Sequence, residues 1–155
     1  MTEDARFEDG GEAPVALRAL DGDDLKVISA LVQDAVFPAS EMAWDRARRR
    51  FAVLINRFRW EEAGGKTGPV RVQSVLAIED AQVVASQGFD RSDADLVLSL
   101  LALEWTPGQD GTGRITLVLA GDGAIAVDVE ALEVTLRDVT RPYVAPSGKV
   151  PRHPD

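Results

Sequence analysis

The fold is organised around an arginine-rich turn and the strand after it, Asp45-Arg46-Ala47-Arg48-Arg49-Arg50-Phe51-Ala52-Val53-Leu54-Ile55-Asn56-Arg57-Phe58-Arg59-Trp60. Alternate side chains of an extended strand point to opposite faces, so one face here carries Phe51, Val53, Ile55, Arg57 and Arg59. The other face carries Ala52, Leu54, Asn56, Phe58 and Trp60. Bulky and β-branched residues favour strands. We therefore predict a polar turn at Asp45–Arg49 and a long strand from Arg50 to Trp60.

A similar pattern returns 45 residues later, from Asp90 to Trp105. Each copy opens on Asp-Arg and ends in an apolar run closed by tryptophan, and Arg71–Ala77 and Arg114–Ala120 form a second matching pair. The copies differ in charge, because Arg48, Arg50 and Arg59 correspond to Asp93, Asp95 and Glu104. A duplication of three-stranded units and a chance likeness of amphipathic strands both explain the pattern.

One helix is predicted before these strands. Asp21 is a suitable N-cap, and acidic residues at positions 23 and 24 favour the positive first turn. An apolar stripe at helical spacing follows. Pro38 lacks an amide hydrogen and disfavours helical geometry at Phe37, so the helix should end there. The stripe consists of Leu25, Ile28, Leu31, Val32, Ala35 and Val36.

The remaining segments predict short strands joined by short connections, which favours antiparallel pairing. Leu132–Val139 fits both a helix and a strand; its β-branched Val134 and Thr135 favour a strand, offset by a bulge near Ala131. Gly121-Asp122-Gly123 indicates a hairpin. The other predicted strands are Val15–Ala19, Glu41–Trp44, Val70–Ile78, Val83–Phe89, Leu96–Trp105, Arg114–Ala120 and Ala124–Glu130.

These elements predict the α+β class: one N-terminal helix packed on a mainly antiparallel, strongly curved sheet or partial barrel. If the repeat is a duplication, the sheet contains two pseudo-symmetric three-stranded meanders, the second opened by Val83–Phe89. The length suits a single domain, which we place at residues 14–140. Residues 1–13 are acidic and predicted to be disordered, and residues 141–155 form a proline-rich tail predicted to be extended and poorly packed.

Composition excludes several classes of protein. The formal net charge of −9 over 155 residues argues against general attraction to nucleic acid or to anionic membranes. No apolar run approaches the roughly 20 residues that span a bilayer. The N-terminus lacks the basic and apolar regions of a signal peptide, so the cytoplasm is the expected location. There is no cysteine, which excludes disulfides and thiol catalysis.

The sequence supports no catalytic, metal or cofactor site. Gly65-Lys66-Thr67 resembles the end of a phosphate-binding loop, but it lacks the upstream glycine, and Gly68-Pro69 prevents a regular helix after it. The aspartates at 21–24 and 90–95 lack the full ligand pattern of a calcium loop. His153 is the single histidine, so a histidine-based triad cannot form within one chain. Carboxylates, lysines and Tyr143 leave other catalysis open, but no spacing supports an enzyme.

The arginines of the first copy are the best candidate for a functional site. Residues 42–60 contain six arginines and one acid, a local charge of +5. One interpretation is a solvated turn whose arginines pair with acids across the sheet, where exposed pairs contribute little. The other is a site for an anion or an acidic partner, since arginine forks bind carboxylates and phosphates well. The candidate residues are Arg46, Arg48, Arg49, Arg50, Arg57 and Arg59.

Three functions follow from these interpretations. The leading hypothesis is a non-enzymatic module that binds an unknown protein partner through the arginine-rich hairpin. The second is a self-associating structural protein in which the basic copy meets the acidic copy of a neighbour, as in a homodimer that pairs Arg59 with Glu104. The third is a small-molecule-binding or catalytic domain, which requires a concave polar pocket.

The sequence also resembles a known family. Leu25–Ala35, followed by Arg49-Arg50-Phe51 and Asn56-Arg57-Phe58, resembles the uncharacterised alphaproteobacterial domain-of-unknown-function family numbered 2948. Leu98–Ala102 and the Gly121–Ile125 hairpin fit the same pattern, and the likeness covers roughly residues 17–139. The resemblance implies a small bacterial cytoplasmic protein and supplies no activity and no site residues.

Overall fold

The computed structural model describes residues 14–58, 70–139 and 143–144. One helix, α1, spans Gly22–Val32, and short 3-10 turns lie at Ala39–Glu41 and Gln109–Gly111. The strands are β1 (Ala16–Ala19), β2 (Val36–Pro38), β3 (Met42–Asp45), β4 (Arg50–Phe58), β5 (Val70–Ile78), β6 (Ala81–Gln87), β7 (Val97–Pro107), β8 (Gly113–Leu119), β9 (Ala124–Val129), β10 (Val134–Asp138) and β11 (Tyr143–Val144).

The strands form one curled, antiparallel sheet in the order β1-β10-β5-β4-β2-β7-β8-β9-β6. β3 also pairs with β4, and β11 also pairs with β5. The predicted class, one helix on a mainly antiparallel curved sheet, is confirmed. β2 lies between the two long strands of the repeat, with β4 and β5 on one side and β7 and β8 on the other. The long strand of each copy and the strand after it are therefore placed similarly about β2.

The predicted pairing of the second copy differs from the structure. The strand predicted at Val83–Phe89 is β6, which pairs with β9 and not with β7. Asp80 adopts a left-handed conformation with φ 55° at the end of β5. The Ala81 amide then donates to Arg49 O, and the Glu130 amide donates to Asp80 O. These bonds hold the chain beside the end of β9, so it does not fold back on β5.

The last predicted turn of the helix is also wrong. The N-cap is as expected, since the Asp21 carboxylate accepts from the Asp24 amide at 2.8 Å. The helix ends at Val32, however, and Asp34 has φ 67°. The Asp34 amide donates to Leu100 O, and the Leu100 amide donates to Ala35 O. Pairing with β7 thus takes the place of the helical turn predicted after Val32, and Val36–Pro38 forms β2.

The ambiguous segment is a strand, as favoured from its β-branched residues. β10 does not continue β9 past a bulge; it crosses to the other half of the sheet and pairs with β5 and β1.

Several predictions lie outside the described residues: the N-terminal segment 1–13, Arg59 and Trp60, the loop at 64–69, and most of the tail. Within the tail, β11 pairs with β5 at Arg71 and Val70.

The core lies between the inner faces of the curled sheet and one face of α1. Leu25, Ile28 and Val32 face inward from the helix, and Phe51, Val53 and Ile55 face inward from β4. The alternation read from the sequence therefore identifies the buried face of β4, and Arg57 continues it. No helix among the described residues is long and apolar enough to cross a membrane.

Candidate functional site

Arg57 lies apart from the other candidate arginines, inside the sheet. Its side chain and that of Asp138 are both 0% exposed, and Arg57 Nη2 lies 3.2 Å from Asp138 Oδ1. Arg57 Nε donates to Ser74 Oγ at 3.1 Å, and Ser74 Oγ donates to Asp138 Oδ1 at 2.7 Å. The Val15 amide donates to Asp138 Oδ2 at 2.8 Å. This buried pair joins β4, β5, β10 and the start of β1, so Arg57 cannot meet a partner at the surface.

The arginines of the β3–β4 turn are exposed, but two of them already have partners within the chain. Arg49 Nη2 lies 2.8 Å from Glu130 Oε1 and 3.8 Å from Asp80 Oδ1. Arg50 Nε contacts both carboxylate oxygens of Glu79, at 3.0 and 3.1 Å. These pairs agree with the interpretation of the turn as a solvated charged surface, and they lower the charge available to a partner.

Arg46 and Arg48 are less engaged. Arg48 Nε is 3.9 Å from Asp45 Oδ2, which is a loose contact for an ion pair. No carboxylate of a described residue lies within ion-pair distance of the Arg46 guanidinium. We name residues 46–49 the arginine turn. Among the described residues, the guanidiniums of this turn that are not held in a close ion pair are those of Arg46 and Arg48.

A cavity of about 220 Å³ lies next to this turn, between β3 and β6. Met42 and Trp44 pair with Val53 and Phe51, so they share the inward face of β4. Both are half-buried, as is Val84 on the opposite wall. We call this cavity the β3/β6 groove. It is lined by Ala39, Met42, Trp44, Phe51, Val84, Ser86, Arg91 and Ile125.

Arg91 supplies the cationic group of the groove. Gly88, with φ 84°, begins the loop that carries it; a side chain there would meet Asp122 O at 2.7 Å. No carboxylate among the described residues lies within ion-pair distance of the Arg91 guanidinium. The acids nearby accept hydrogen bonds within their own loop, from Ser92 to Asp90 and from the Asp95 amide to Asp93. The groove thus combines mainly apolar side chains with a guanidinium that has no ion-pair partner in the part of the chain that the structure describes.

The loop also lowers the pKa of Asp90 below its ordinary value of 3.8. The side-chain hydroxyl of Ser92 is the larger cause and the Ser92 amide the smaller, at 2.6 and 2.9 Å. Both donors favour the charged form. A carboxylate whose pKa is lowered in the folded state contributes to stability. The contribution is complete when the pH is above the pKa of the unfolded state, and it is lost as the pH falls through the pKa of the folded state.

We expect Ser92→Ala to raise the pKa of Asp90 towards 3.8, because the hydroxyl donor is lost while the amide donor remains. A titration of the carboxyl carbon by NMR between about pH 2 and 6 measures this. Ser40→Ala, an exposed serine in the first 3-10 turn, is the control and should leave Asp90 unchanged. An unaltered titration of Asp90 in Ser92→Ala would contradict the assignment.

Sequence reasoning identified the arginine turn but missed the groove. A strand was predicted at Glu41–Trp44, and the structure has it as β3. Nothing local indicated that Ser86 and Arg91 line the same groove, because β6 is placed by its pairing with β9 and by the bond from the Ala81 amide to Arg49 O. Among the described residues, no cluster of three histidine, aspartate or glutamate side chains is suited to a metal ion.

The fold and groove define an α+β protein with a curled antiparallel sheet and a small cleft, lined mainly by apolar side chains, beside a cationic turn. A family model described as "Protein of unknown function (DUF2948)" matches residues 15–153, so the chain belongs to this family. The family resemblance seen in the sequence is thereby confirmed. No curated protein and no solved structure matches the chain.

Proposed function

We propose that this protein is a non-enzymatic binding module that holds an extended segment of a partner protein in the β3/β6 groove. The observation that carries this proposal is an open groove lined mainly by apolar side chains together with Arg91, whose guanidinium has no ion-pair partner among the described residues. Such a site suits an apolar side chain flanked by a carboxylate. The arginine turn lies near the start of β6, towards the other end of the same groove from Arg91.

The size of the groove favours a side chain over a whole small molecule. Sites for small ligands and cofactors usually enclose about 300–1,000 Å³. The groove, at about 220 Å³, lies below that range. Its half-buried walls include Trp44 and Met42, an aromatic residue of the kind enriched at binding hot spots and a flexible residue that adapts to different partners. A partner anchored by one or two apolar side chains is the better match.

Arg91 is the charged residue that lines the groove, and its guanidinium favours a carboxylate in the bound segment. Glu79 and Glu130 are engaged by Arg50 and Arg49, respectively. Arg91 and Arg46 remain available to carboxylates of a partner. Exposed charges act chiefly on association rate and are screened by salt, so binding should weaken as ionic strength rises.

A selection from random linear peptides displayed on phage tests the proposal. We expect enrichment of peptides with an apolar residue near an acidic one. Binding of these peptides should fall by about tenfold or more in Ser86→Trp, because the indole fills the groove. Ala85→Trp is the matched control: its side chain lies on the outer face of the same strand, is exposed, and should leave binding intact.

Charge reversal provides the second arm of this test. Arg91→Glu should weaken the selected peptides at low salt, while Arg137→Glu, an exposed arginine on β10, should not. Thermal unfolding of each variant shows whether the fold is kept. Failure to enrich any peptide, or equal binding by Ser86→Trp and Ala85→Trp, would overturn the proposal.

Self-association is the second candidate, and one contact favours it. The Ala81 amide bonds to Arg49 O, so β6 begins at the arginine turn, and it ends at the loop that carries Asp90, Asp93 and Asp95. Antiparallel pairing of β6 with a second copy would place each basic turn beside an acidic loop, twice by symmetry. Light scattering across ionic strength tests this, and a monomer at all concentrations would exclude it.

A further inference from the structure

We infer that the bound segment joins the sheet as an added strand, antiparallel to β6 along its free edge. This inference rests on the proposed function and specifies how the same groove holds its partner. It identifies the backbone of the segment as the main source of hydrogen bonds and its alternate side chains as the source of specificity.

β6 is the last strand of the sheet and lacks the usual protection of an edge. Among the described residues it pairs with β9 alone. Edge strands are commonly shielded by charged residues, proline or a bulge. Ala81–Gln87 contains no charged residue and no proline, and its single irregularity lies at the start, between Ala81 and Val83. Val83 is 52% exposed. As far as the described residues go, the rest of this edge is therefore open to another strand.

The other edges of the sheet are less suitable. α1 packs beside β1, the strand at the opposite end of the sheet. β3 is only four residues long, ends in the charged Asp45, and its Met42 amide is already bonded to Ala39 O. β6 is seven residues long and has no such feature. Length and composition thus select β6 as the edge that receives a strand.

Alternate side chains of β6 face the groove, and the same holds for a strand added beside it. Val84 and Ser86 line the groove, while the exposed Ala85 and Gln87 lie on the outer face. A strand added alongside β6 shares this alternation, so every second side chain of the added strand faces the groove. One apolar side chain would pack there between Trp44 and Val84.

Strand direction predicts where the acidic residue lies. Arg91 follows the end of β6, so an antiparallel strand begins near Arg91 and runs towards the arginine turn. A carboxylate meeting Arg91 therefore belongs on the N-terminal side of the apolar anchor. The partner is a protein segment with an acidic residue followed by alternating apolar residues.

The test uses the full chain and the tightest peptide from the phage selection. Each peptide nitrogen is methylated in turn, which removes one amide donor at a time. In an added strand only alternate residues direct their amides to β6, so we expect losses of about tenfold or more at every second position and small changes between. Hydrogen exchange should slow by about tenfold or more within residues 82–87 on binding and stay unchanged in α1.

The outcomes separate this inference from the proposed function. Strand addition is overturned if the methylation series shows no alternation and hydrogen exchange shows no protection of β6. If Ser86→Trp still abolishes peptide binding in that case, the groove remains the site. Protection of β3 in place of β6 also overturns strand addition. Failure to select any peptide overturns both proposals. Protection of β6 that rises with protein concentration in the absence of peptide shows that a second copy occupies the edge, which again overturns the inference.

Discussion

Arg57→Ala is expected to lower the free energy of unfolding by about 3–5 kcal/mol. The substitution leaves the Asp138 carboxylate in a site where its side chain is 0% exposed, without its cationic partner. The carboxylate would keep its bonds from Ser74 and the Val15 amide, but hydrogen bonds from neutral groups do not replace a buried counter-charge. Urea unfolding followed by tryptophan fluorescence measures the loss.

The chain offers a matched control for this prediction. Arg50 also contacts a carboxylate through two oxygens, but its side chain is 47% exposed. Arg50→Ala should therefore cost no more than about 1 kcal/mol, as for other exposed ion pairs. The double variant Arg57→Met with Asp138→Asn should be more stable than Arg57→Ala, because it leaves no uncompensated charge at the site of this pair. Equal losses in Arg57→Ala and Arg50→Ala would show that burial does not set the contribution of this pair.

Phe37→Ala is expected to lower the free energy of unfolding by about 3–5 kcal/mol. Phe37 is 1% exposed and lies in the middle of β2, the short strand between β4 and β7. Removing its ring leaves a cavity where the two halves of the sheet meet. The neighbouring strands are held by their own hydrogen bonds and cannot close the cavity fully.

Calorimetry together with urea unfolding measures this effect. Val97→Ala is the control, since Val97 pairs with the next residue of β2 but is 59% exposed. Its stability should change by no more than about 0.5 kcal/mol. Phe37→Leu should lie between the two, because it keeps part of the apolar volume. A loss below about 1 kcal/mol in Phe37→Ala would mean that the junction at β2 relaxes and that the core does not depend on it.

Much of the fold was predictable because its signals are local. Alternation identified β4 and its buried face, the aspartate cap identified the start of α1, and Gly121–Gly123 identified the β8–β9 hairpin. The end of the helix was predicted wrongly because Ala35 and Val36 fit the helical stripe as well as they fit a strand. Their pairing with β7, distant in sequence, decided between the two.

The candidate site was likewise predictable only where its signals are local. The excess of arginine at residues 46–59 is visible in the sequence, but the composition of this segment does not show which guanidiniums are buried and which are exposed. Arg57 continues the inward row of β4 and was predicted as a binding residue, but its partner Asp138 lies 81 residues away. The groove depends on β3 and β6 facing each other, and neither strand carries a local mark of the other.

The sequence by itself determined the α+β class, most of the strands, the family and the presence of a cationic turn. These follow from side-chain periodicity, turn residues and composition, which act over a few residues. Only the tertiary structure decided that β6 joins β9, that Arg57 is buried against Asp138, and that Arg91 lies at an apolar groove. Each of these depends on contacts between segments far apart in the chain, and their free energies are set by burial and strand pairing that no local pattern encodes.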